Sequence, residues 1–203
     1  QERYPEARTY LEKARAQPRP EKGTAPADTH AVLLSNLAYV AHGLGELDQA
    51  DRLFTEAEAE FGRLGRGGSA ELASLLKNRA FLLDDQGKAD EAYALRQRSV
   101  AMRRSILGDS HPAMVSPLLD LAQSSLMRGD AAAGLALSTE AVEVAGRAYA
   151  QANEHTVFAR LIQAGALINS KRFLEAGEAL VRAEKDLATL EAPPEYVVQG
   201  AEY

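Results

Sequence analysis

Small residues recur along this chain at intervals of 42 positions. Ala38 is followed by Ala80, Ala122 and Ala164; Ala50 by Ala92, Gly134 and Ala176; Ala57 by Ser99, Ala141 and Ala183. A fourth column runs Gly45, Gly87, Gly129 and then breaks at Lys171. Self-similarity at a period of this order belongs to stacked repeats, in which each unit covers its apolar face with its neighbours. Small side chains persist where two helices cross closely, because a larger one would push the backbones apart.

Each repeat reads as two helices. In the first, Val32, Leu33, Leu37, Tyr39 and Val40 stand at helical spacing, and a Gly follows that can take the left-handed conformation closing a helix. The second begins near Glu46 and runs through Ala50, Leu53, Phe54 and Ala57 to about Phe61. Pro, Gly and capping residues fill the connections QPRPEKGTAPADT (17–29), GRLGRGGS (62–69), LGDSHP (107–112) and AQAN (150–153). Pro117 is placed in a first turn, with Ser116 as the expected N-cap. The predicted units are 28–68, 69–110, 111–152 and 153–192. Residues 1–16 are read as the second helix of a preceding unit, and 193–203 as the start of a further unit or a tail. The array begins and ends inside a repeat, so the sequence is expected to be a piece of a longer protein.

Composition agrees with helices. Aromatic residues are 6% of the 203 and Trp is absent, so the core must be built mainly from Ala and Leu. The net charge of −6 argues against general affinity for nucleic acid or anionic membrane. The absence of cysteine excludes disulfides, thiolate metal sites and cysteine nucleophiles, and fits a cytoplasmic setting. No apolar run is long enough to span a bilayer, and the first residues are no signal peptide.

Chemistry-bearing motifs are read as structural. GRLGRGGS lacks the Lys-Ser/Thr ending of a phosphate loop. DDQGK (84–88) falls at the turn within a unit rather than in a calcium loop. His30, His42, His111 and His155 show no metal-ligand spacing. Arg96, Arg98, Arg103 and Arg104 are expected to form a solvated, ion-paired surface, since RNA binding would want aromatics among them. No nucleophile–base pair stands out, so neither an enzyme nor a cofactor is expected.

The stretch AMRRSILGDSHPAMVSPLLDLA (101–122) resembles the repeat junction of the tetratricopeptide family, with Leu107, Gly108, His111, Pro112, Leu118, Leu121 and Ala122 in place. SNLA (35–38) matches the asparagine-bearing end of that motif. Ala38, Ala50 with Phe54, and Ala57 occupy the family's small and aromatic positions, and the period resembles the longer variety of kinesin light chains. The resemblance implies an all-α, right-handed superhelical solenoid of antiparallel helix pairs. It also implies a concave groove lined by the first helices, in which an amide holds the main chain of a bound peptide. Carried over position by position, the amide column is Asn36, Asn78, Asp120 and Ile162. Tyr39, Lys77, Phe81, Asp85 and Gln123 are expected to face the same way. Arg79 and Gln163 stand in a column that is Leu in the other two units, which makes packing there irregular.

An extended peptide buried in such a groove needs partners for its N–H and C=O groups, and a carboxamide supplies both a donor and an acceptor. The bland alternative is that Asn36 and Asn78 bond the neighbouring helix. The expected role is a protein-interaction module for a protein or peptide ligand, with no nucleic acid or membrane partner. Its rivals are self-assembly through exposed repeat ends, a structural spacer, and the regulatory region of a larger signalling enzyme such as a bacterial protein kinase.

Overall fold

A computed structural model describes residues 4–16, 29–149 and 151–190. All regular structure among them is helical: α1 Tyr4–Arg15, α2 Thr29–Gly43, α3 Leu47–Arg63, α4 Ala70–Asp85, α5 Ala89–Leu107, α6 Val115–Met127, α7 Ala131–Ala148, α8 Glu154–Asn169 and α9 Phe173–Leu187, with a 3-10 turn at Pro112–Met114. Residues 17–28 of the expected connection 17–29 and the segment 193–203 lie outside the described residues, while Thr29 opens α2.

Two compact bodies divide the chain, Gln1–Met102 and Arg103–Tyr203. In the first, α2 packs on α1, α3 and α4, and α3 also packs on α4. In the second, α6 pairs with α7 and α8 with α9, while α8 also touches α6 and α7. Both bodies therefore follow one rule: a first helix pairs with its own second helix and also touches the next first helix.

The turn inside each pair closes the same way. Glu46, Lys88, Asp130 and Arg172 donate their amides to the carbonyls of Ala41, Leu83, Ser125 and Leu167, at 2.9, 2.8, 2.9 and 2.9 Å. This wrap demands a left-handed residue just before the donor, supplied by Gly45, Gly87 and Gly129 at φ 79°, 74° and 80°. Lys171 adopts the same conformation at φ 59° although it carries a side chain. The break in the glycine column is thus a change of residue without a change of backbone.

The small columns lie at helix crossings. Ala38, Ala50, Ala57, Ala80, Ala92, Ala122, Ala141, Ala164, Ala176 and Ala183 are all buried. Ser99 takes an alanine's place without leaving its hydroxyl idle, for Oγ donates to the Ala73 carbonyl at 2.6 Å, tying α5 to α4. At Gly134 even a methyl group would be too large: a Cβ there would lie 2.5 Å from Leu126 Cδ2 and 3.3 Å from the Ala122 carbonyl oxygen. Around these crossings the first body buries Leu34, Phe54, Phe61, Leu75 and Leu76 completely. Each such side chain contributes about 1.5–3 kcal/mol of transfer free energy.

Two expectations need correction. Ser116 is not the cap of α6. The helix begins two residues earlier than that cap implies, at Val115, with Met114 at the N-cap position. The 3-10 turn at Pro112–Met114 leads the chain straight into it, itself capped by His111, whose Nδ1 accepts from the Ala113 amide at 3.1 Å. Pro117 remains in the first turn, where its missing N–H costs nothing. Nor is the arginine stripe of α5 uniformly solvated. Arg98 is exposed, but Arg96 is buried at 6% exposure, donating to Asp84 with its guanidinium 5.2 Å from the centre of the Phe81 ring. Charge pairing and the aromatic face make that burial tolerable.

Candidate functional site

On α2, Asn36 and Tyr39 are exposed; on α4, Phe81 and Asp85 are exposed, with Lys77 and Asn78 half-buried beside them. Spacings of three, four and seven residues put Asn36, Tyr39 and Gly43 on one stripe and Asn78, Phe81 and Asp85 on another. The two helices touch, and His42 Nε2 lies 2.6 Å from Asp85 Oδ2, joining their C-terminal ends. The first body therefore brings six of the sequence-predicted residues onto one two-helix face. Asp120, half-buried, and Gln123, exposed, hold the corresponding positions on α6 in the second body. Ile162, where the amide column ends, is half-buried on α8.

The aromatic members of the face are held from behind. Tyr39 meets the Tyr4 ring edge-on at 6.4 Å, and its hydrogen bond with Tyr4 holds the phenol above the usual tyrosine range, helped by Tyr4's charge and by burial. Tyr4 can sit there because residue 43 is glycine, since a Cβ would come within 2.6 Å of its ring. Arg8 of α1 reinforces this docking through a 2.6 Å ion pair with Glu46. Phe81 rests on the Arg96 guanidinium, as described above. Among the described residues, neither the Asn36 nor the Asn78 carboxamide bonds another protein group. The neighbouring-helix alternative thus has no hydrogen bond to support it.

Sequence reasoning missed a second polar cluster. Arg79 of α4 donates to Asp51 and Glu58 of α3 at 3.0 Å each and to Thr55 at 3.1 Å, while Arg98 of α5 reaches Glu58 at 3.0 Å. The signal was the replacement of Leu by Arg in the column noted as irregular. Of the remaining histidines, His30 is buried at the start of α2, and His155 stacks on Tyr149 at 6.3 Å. The described residues contain no cluster of three or more metal-ligating groups, and none of their helices is long and apolar enough to cross a membrane.

Comparisons with known proteins agree with this architecture. Residues 71–147 match the tetratricopeptide repeat family. No curated protein matches the sequence. Among solved structures, BtubC (BKLC) from P. vanneervenii is similar with a TM-score of 0.83 at 15% identity, over 95% of this chain and 77% of that one. A Podosopora anserina protein described as a kinesin light chain with nearly identical TPR-like repeats gives a TM-score of 0.76 at 19% identity, over 94% of this chain and 90% of that one. The chain thus shares the helical-repeat solenoid fold of these solved structures, and within it residues 71–147 match the tetratricopeptide repeat model.

Proposed function

We propose that the chain is a protein-interaction module whose α2–α4 face holds an extended peptide. The tetratricopeptide fold generally mediates protein–protein contact. The observation carrying the reading is the pair Asn36 and Asn78. Each carboxamide has its donor and acceptor uncommitted within the described residues, and exposed Tyr39 and Phe81 stand beside them. Two amides at a fixed separation grip main chain with little regard to sequence, while the aromatic rings and the His42–Asp85 pair select side chains. Asp120 and Gln123 give α6 a similar polar stripe.

The test is selection from a random peptide library displayed on phage, followed by titration of the recovered peptides. Asn36→Ala/Asn78→Ala should weaken binding about tenfold or more while leaving the thermal midpoint in place. Equal affinity in wild type and double variant would sink the amide role. Selection of no peptide at all would count against the face.

A second reading, self-association, rests on Phe173, Leu174 and Val181, which are 65%, 89% and 65% exposed on α9. Molecular mass that rises with concentration, and no longer does so in Leu174→Glu, would favour it.

A further inference from the structure

Asp85 carries a charge at a position where the other repeats have none: the corresponding residues are Gly43, Met127 and Asn169. Its side chain is 63% exposed. A carboxylate only accepts, so the 2.6 Å contact with His42 is a bond donated by Nε2 to Oδ2. Oδ1 bonds no described protein group. The same bond joins the last turns of α2 and α4, and the C-terminal end of a helix carries partial negative charge.

Two aromatic rings stand within one helical turn of this corner. Phe81 precedes Asp85 by four residues on α4, and Tyr39 precedes His42 by three on α2. They are 39% and 46% exposed. The Tyr39 hydroxyl is engaged with Tyr4, so what this residue offers a ligand is its ring. Phe81 already holds one cation from within the chain, the Arg96 guanidinium, whose charge Asp84 neutralises. Aromatic faces beside a carboxylate attract a further cation and repel an anion.

The chain's own cations leave Asp85 unmatched. Arg8 pairs with Glu46, and Arg96 with Asp84. Lys77 lies eight residues before Asp85, about 12 Å along the helix axis. It stands in a column whose members Ser35 and Leu119 are buried. Lys88 follows the turn, but Asp90 and Glu91 come directly after it in the first turn of α5.

We propose that this corner takes a basic side chain, lysine or arginine, of the peptide held on the α2–α4 face. The assignment rests on that face being a peptide site and adds the class of residue it selects. Asp85 meets the charge, while Tyr39 and Phe81 cover the aliphatic stem and the cation. The carboxamides of Asn36 and Asn78 are left for the main chain.

The test titrates the full chain, labelled with nitrogen-15, with three capped pentapeptides of alanine that carry arginine, norleucine or glutamate at the centre. Amide shifts at Asn36, Tyr39, Asn78, Phe81 and Asp85 report binding. The arginine peptide should bind about threefold to tenfold more tightly than the norleucine peptide, and the glutamate peptide most weakly. Raising NaCl from about 0.05 to about 0.5 M should shrink the arginine advantage. Asp85→Asn keeps an acceptor for His42 and should reduce that advantage to about twofold or less. Phe81→Leu should reduce it in part. Norleucine or glutamate binding as well as arginine would overturn the charge assignment and leave the peptide face standing, as would an undiminished arginine advantage in Asp85→Asn. No saturable shift from any of the three would overturn both.

Discussion

Gly134 provides the most direct test of whether close helix crossing explains the small columns. Alanine at this position raises helix propensity and alone would stabilise α7 by about 1 kcal/mol. Opposing it, the new Cβ would lie 2.5 and 2.7 Å from Leu126 Cδ2 and Cγ, with the Ala122 carbonyl oxygen at 3.3 Å behind them. Leu126 must change rotamer or α6 must move, and overpacking of this kind costs about 1–3 kcal/mol. The balance for Gly134→Ala is a net destabilisation of about 0–2 kcal/mol, read from urea unfolding midpoints. The sign should reverse in a Leu126→Ala background, where only the carbonyl contact remains and alanine becomes stabilising by several tenths of a kcal/mol or more. A double-mutant cycle isolates this coupling, expected at about 1–2 kcal/mol. If Gly134→Ala were equally stabilising in both backgrounds, crossing distance would not be what keeps the column small.

Two further outcomes are expected. Lys171→Gly should raise stability by up to about 1 kcal/mol, since relief of left-handed strain worth about 1–2 kcal/mol exceeds the added entropy of the unfolded chain; an unchanged or lowered urea midpoint would contradict this. Arg96→Met keeps the aliphatic stem but removes the guanidinium from Phe81 and Asp84, and should cost about 1–2 kcal/mol and broaden the Phe81 ring resonances. The figure stays modest because the Asp84 side chain is 38% exposed and can be hydrated.

Much of the fold was legible because helix crossings and left-handed turns restrict residue type severely. The alanine columns and Gly45, Gly87 and Gly129 record that restriction directly. Lys171 shows its limit: the backbone kept the conformation after the residue favouring it was gone. Side-chain partnerships were less legible, because they depend on what arrives from another helix. Arg96 looks like surface charge until Phe81 and Asp84 are seen to cover it. His111 was expected at a junction, but the 3-10 turn that it caps, and hence the start of α6 at Val115, is set by local hydrogen bonding. Of the candidate face, Asn36, Tyr39 and Phe81 were placed by the family resemblance; helical spacing alone put Tyr39 among the apolar residues of its helix. The partnering of Asp85 with His42 was legible in neither, because the two residues are joined through packing between repeats.

The left-handed Lys171 also bears on how firmly one pair of helices is shut. The α8–α9 pair closes over two small apolar clusters, Ala164, Leu167, Ala176 and Ala179 and then Val157 and Ala183, with a left-handed lysine in its hinge. The buried side chains are smaller than Leu34, Phe54 and Phe61 around α2 and α3, so separating α8 from α9 exposes less apolar surface and their amides should exchange with solvent through a shallower opening.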